Sequence, residues 1–170
     1  DKILKEEIKC LLWKEGLHVK NHLIKNNIKE VELINQNTKI KFILPIRNPL
    51  DCSKSNQNTR MSNIFININD NSTFQEILKE VLDEILSFLK NKKQYPNNFF
   101  HYYQHSFNED VLRGFCNFMT LPFDKKWKDD VLEIYNIKPS YSYNKEDILF
   151  YRNYVNEKFI EFPKEIENLM

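Results

Sequence analysis

The segment that most constrains this fold is Lys39–Ile46, KIKFILPI, together with the helix-start signature that follows it at once. A run this apolar and rich in β-formers suits a central strand covered on both faces, as parallel sheets require. Pro45 cannot donate to a ladder, so it weakens the run slightly. Arg47 ends it. Asn48 then suits an N-cap, Pro49 the first helical position, and Asp51 the positive end of the helix dipole.

Other elements follow from periodicity. Residues 2–13 carry Ile3, Leu4, Ile8, Leu11 and Leu12 at helical spacing, with Gly16 as a stop. Leu17 to Leu23 reads as a short strand or strand-like segment, Ile28 to Ile34 as a short amphipathic helix, and Ile64 to Ile68 as an alternating short strand or an exposed extended segment. The clearest helix is Thr73 to Leu89, with Ser72 as its cap and a broad stripe from Phe74 to Leu89. Lys90 to Asn98 reads as a polar turn around Pro96, and aromatic Phe99 to Tyr103 as a strand. Helices are expected at Asn108–Met119, Asp124–Tyr135 and Lys145–Phe159, with a loop at Lys138–Tyr141. Strands alternating with helices predict an α/β class with a parallel sheet flanked by helices, in one domain spanning 1–170.

Bulk properties exclude several classes. A net charge of +1 argues against a surface built to wrap nucleic acid. No apolar run approaches the roughly 20 residues a membrane helix needs. Cys10, Cys52 and Cys116 are widely spaced and odd in number, which suits a reducing cytoplasm better than a disulfide framework or a zinc finger. With only Gly16 and Gly114, no loop can be a Gly-rich phosphate cradle. The pairs His18/His22 and His101/His105 have i,i+4 spacing, but both fall in segments read as extended, so no metal site is expected. The aromatic cluster at 99–103 reads as a core strand rather than a base-stacking platform.

One stretch has chemical character. A parallel strand delivers Arg47 at its carboxyl end, where open α/β sheets place ligands. The next helix starts at once, so its N–H groups and dipole face the same crevice. Ser55 lies about two turns past Asn48 and returns to the same face. An arginine fork and a hydroxyl can then close on one phosphate. The other reading is a surface arginine beside an ordinary helix cap.

The stretch from Val19 to Asn56 resembles the central segment of sulfotransferases that use 3′-phosphoadenosine 5′-phosphosulfate (PAPS). That family has a K-x-H element ending one strand, then a short helix, a second apolar strand, and an R-[ND]-x-x-D-x-x-x-S element. This chain has Lys20-Asn21-His22, then Arg47-Asn48-Pro49-Leu50-Asp51 and Ser55. The resemblance implies that Arg47 and Ser55 bind the donor's 3′-phosphate. It implies His22 as the general base toward a hydroxyl or amine acceptor and Lys20 as a cation near the sulfuryl group, without a metal. A weaker likeness over 99–123 places Tyr103 either near the adenine or in the core.

The family's phosphosulfate loop precedes the K-x-H element by more residues than this chain provides, and nothing in 1–18 can be that loop. The resemblance thus covers the middle and C-terminal portion of a P-loop-like fold. The implied function is sulfuryl transfer from PAPS to a small-molecule or glycan acceptor, by a longer enzyme of which this is a fragment inactive alone. The alternative is a non-catalytic nucleotide-binding or interaction module.

Overall fold

A computed structural model describes residues 23–60, 65–135 and 141–170. Their order is α1 (Glu30–Gln36), β1 (Phe42–Ile46), α2 (Pro49–Asn58), α3 (Phe74–Gln94), β2 (Phe99–Tyr103), α4 (Glu109–Met119), α5 (Lys125–Ile134), α6 (Lys145–Lys158) and α7 (Pro163–Leu169). The class is α/β, mostly helical, with a two-stranded parallel sheet among the described residues. Phe42 pairs with Phe99 and Ile46 with Tyr103. None of the described helices is long and apolar enough to cross a membrane.

Asn98 sets this pairing. Its side-chain amide donates to Thr38 O at 2.9 Å and Ile40 O at 2.8 Å, and its backbone carbonyl accepts from Phe42 N at 2.7 Å. The strand entrance is thereby fixed before the ladder begins.

Alternation along β2 sends side chains to two helical layers. Phe99 meets Phe88 of α3 edge-on at 5.1 Å, and Tyr103 reaches α7. Phe100 turns the other way, against Phe115 and Phe118 of α4. Lys41 closes that second layer, donating to Phe118 O with its ammonium over the Phe118 ring. The main core lies on the α3 side. There Ile77, Leu78, Val81, Leu82, Ile85 and Leu89 pack with Ile46, Tyr151, Val155, Phe159 and Leu169.

Several expectations need correction. The cap of α3 is Thr73, not Ser72: Thr73 Oγ1 accepts from Glu76 N, and Glu76 Oε2 accepts from Thr73 N at 2.7 Å. This is the reciprocal capping box; Ser72 has Gln75 at the same spacing, but its hydroxyl accepts from Asn69 N in the preceding turn instead. The same helix runs through Lys90 to Gln94 because all but Asn91 of these residues are good helix formers, and lysines in a last turn suit the dipole. It stops at Tyr95, just before Pro96.

Residues 65–68 form turns, not a strand. Phe65 and Ile68 are buried while Ile66 is 49% exposed, so inward positions recur every three residues rather than every two. Helix α7, led by Pro163, had no counterpart in the sequence reading. The helix expected at 2–13 and the strand at 17–22 lie outside the described residues, and Leu23 belongs to a helical turn.

Candidate functional site

Arg47 directly follows the last residue of β1, and α2 begins two residues later. Asn48 Oδ1 accepts from Leu50 N at 2.9 Å and from Asp51 N at 3.3 Å. The helix start is therefore capped as the residue types predict, but these two N–H groups are already occupied. An anion here has to be held mainly by side chains.

Helix α2 has two characters. Leu50, Asp51 and Ser53 are buried, and Ser53 returns its hydroxyl to Pro49 O at 2.7 Å. Asn48, Cys52 and Ser55 share a second face by helical spacing. Ser55 is partly buried, and its carbonyl accepts from Thr59 N and Oγ1.

Arg47 is also partly buried and makes no hydrogen bond or ion pair among the described residues. Its field falls on two neighbours. Burial pushes the Cys52 thiol upward and the Arg47 charge opposes that shift. Tyr143, which arrives from the segment before α6, donates to the buried carboxylate of Asp51. Burial raises the Tyr143 phenol, the Asp51 contact adds to the rise, and Arg47 again counters it. The structure thus groups Arg47, Asp51, Cys52 and Tyr143, with Ser55 a turn farther along the Cys52 face. Tyr143 carried no signal in the sequence, being 92 residues from its partner.

Tyr103 goes elsewhere. It is 6% exposed and belongs to the core, and its hydroxyl donates to Glu165 Oε2 of α7 at 2.5 Å. Its backbone pairs with Ile46, one residue from Arg47, while its ring lies between His101 and His105. Of the two positions open to it, the core is the one occupied. Lys20 and His22 lie outside the described residues.

A second polar group was missed by the sequence reading. Lys92, His101, Tyr103 and Glu165 are linked side by side where α3, β2 and α7 meet. The available signal was the i,i+2 spacing of His101 and Tyr103, which puts both on one face of β2.

Compared with known family models, curated proteins and solved structures, the chain has no significant match to any of them.

Proposed function

We propose that this chain carries the 3′-phosphate-binding part of a sulfotransferase, within the corresponding portion of that family's three-layer P-loop-like fold. The reaction is transfer of a sulfuryl group from PAPS to a hydroxyl or amine acceptor. Arg47 and Ser55 hold the 3′-phosphate, His22 takes the acceptor's proton, and Lys20, near the sulfuryl group in transfer, stabilises the charge that develops on the bridging oxygen as the nucleotide leaves. A cytoplasmic setting accords with the free thiols at Cys52 and Cys116.

The observation that carries this reading is the state of Arg47. A partly buried guanidinium at the carboxyl end of a parallel strand has no carboxylate partner among the described residues. The buried Asp51 carboxylate shares this neighbourhood but forms no direct ion pair with Arg47 among the described residues. The guanidinium's N–H donors are thus left for a phosphate, which can accept two parallel N–H bonds. Tyr103, turned toward Glu165, is not part of the proposed phosphate grip.

The test is calorimetric titration with 3′,5′-adenosine bisphosphate. Arg47→Ala weakens binding by about 10- to 100-fold, as expected for charge-assisted hydrogen bonds, and Ser55→Ala by several-fold less. Equal affinity in wild type and Arg47→Ala refutes the assignment.

A further inference from the structure

A cavity of about 370 Å³ opens between the end of α3, β2 and the start of α7. Leu89, Pro96 and Phe162 give it apolar walls, and Lys92, His101 and Glu165 reach it from three separate elements. At the rim Lys93 and Glu161 neutralise each other at 3.1 Å, both more than 60% exposed. This volume is at the small end of the range for organic ligands, roughly 300–1,000 Å³.

The polar groups are ordered in a chain. Lys92 Nζ lies 3.0 Å from His101 Nδ1, and His101 Nε2 lies 3.3 Å from Glu165 Oε2. Tyr103 donates to the same carboxylate oxygen. An ionised Glu165 only accepts, so Nε2 of His101 carries the hydrogen and Nδ1 keeps its lone pair. That lone pair faces the amine of Lys92. His101 is only 8% exposed, so the ring is held by both neighbours rather than by water.

We propose that Lys92 is an amine nucleophile, with His101 as its base and Glu165 as the group that orients the base, and that the cavity takes a small, largely apolar aldehyde or ketone. A nucleophile within hydrogen-bond reach of a base, itself oriented by a third group, is the general arrangement for covalent catalysis. Lys92 gives one proton to His101 Nδ1, and the imidazolium is stabilised by Glu165. The freed nitrogen lone pair forms a bond to the carbonyl carbon, whose π pair moves to oxygen. One proton passes from nitrogen to that oxygen, His101 returns the proton it took, and the oxygen leaves as water. One ammonium and one carbonyl thus give one iminium and one water, with no oxidant or reductant consumed. Burial favours the neutral amine at Lys92, with the Glu165 charge opposing it. Glu165 is held below the usual carboxylate range by His101, Tyr103 and Lys92, against the effect of its burial, so it stays ionised to support the ring.

The test uses the full chain with benzaldehyde and cyanoborohydride at neutral pH, and peptide mapping by mass spectrometry. Lys92 is alkylated roughly 100-fold faster than Lys126, which is 83% exposed, at the low end of a positioned base's contribution. His101→Gln removes most of that advantage without changing the rate at Lys126. Equal rates at Lys92 and Lys126 in the wild type overturn the proposal. So does an undiminished advantage in a folded His101→Gln, with folding checked by circular dichroism. If that variant does not fold, the wild-type comparison decides alone.

Discussion

Tyr143 donates its hydroxyl to the carboxylate of Asp51 across 92 residues of chain, tying the approach to α6 to the first turn of α2. Asp51 is 7% exposed, so little water can replace that donor. Tyr143→Phe is expected to destabilise the fold by about 1–3 kcal/mol, the cost of a buried acceptor left short of a partner. Asp51→Asn, which keeps an acceptor oxygen, costs less. Urea denaturation of both variants checks the ranking.

Burial raises four phenols well above their ordinary value of 10.0: Tyr103, Tyr143, Tyr151 and Tyr154. Three of them also donate to carboxylates, at Glu165, Asp51 and Asp83. A folded-state value above the unfolded one means that the native protein holds more protons at high pH. The stability that these phenols contribute is therefore fully present below about pH 10 and is lost as pH rises beyond it. Tyr154→Phe flattens that alkaline slope, and thermal melts between pH 8 and 11 measure it. A slope unaffected by the substitution contradicts the assignment for that residue.

Asn98→Ala leaves the carbonyls of Thr38 and Ile40 without their side-chain donor at the sheet entrance. Asn98 is itself 8% exposed, so the expected loss is about 1–3 kcal/mol. Asn98→Asp is predicted to be worse, because it opposes a carboxylate to the same two acceptors. Hydrogen exchange at Phe42 N–H rises in both variants if this lock is the source of the effect.

Gly114 sits inside α4, and a Cβ there meets the Phe100 ring at 3.5 and 3.6 Å, an ordinary contact distance. Nothing in this packing requires glycine, and its backbone freedom is lost on folding. Gly114→Ala should stabilise the protein by roughly 0.5–1 kcal/mol. A lower melting temperature in that variant shows that the α4 layer lacks the room described.

Where local residue order fixes local structure, the sequence was legible. The apolar run into Arg47, the Asn48 cap with Pro49, and the helices expected from Asn108, Asp124 and Lys145 all rest on signals within a few residues. The sequence reading did not single out Asn108, Asp124 and Asn144 as caps. The parallel partnership of the two aromatic and aliphatic strands followed from their alternation with helices. What escaped depends on distant surroundings. Phe65 and Ile68 face inward because α3 offers them a core, which no spacing rule between 64 and 68 contains. Helix α7 spans seven residues and is held through Leu169, whose carbonyl accepts from Tyr151 of α6. The Lys92–His101–Glu165 chain draws on three elements, so no single window of sequence displays it.

The Asn98 lock joins positions 58 and 60 residues apart. During synthesis, then, Phe42 to Ile46 must wait for the entire α2–α3 crossover before any of these hydrogen bonds can form. Until that moment the segment is a greasy ribbon with unmet backbone groups, open to pairing with another nascent chain. Fragments ending before residue 98 should accumulate in inclusion bodies, whereas those reaching beyond Tyr103 acquire the partner that keeps them apart.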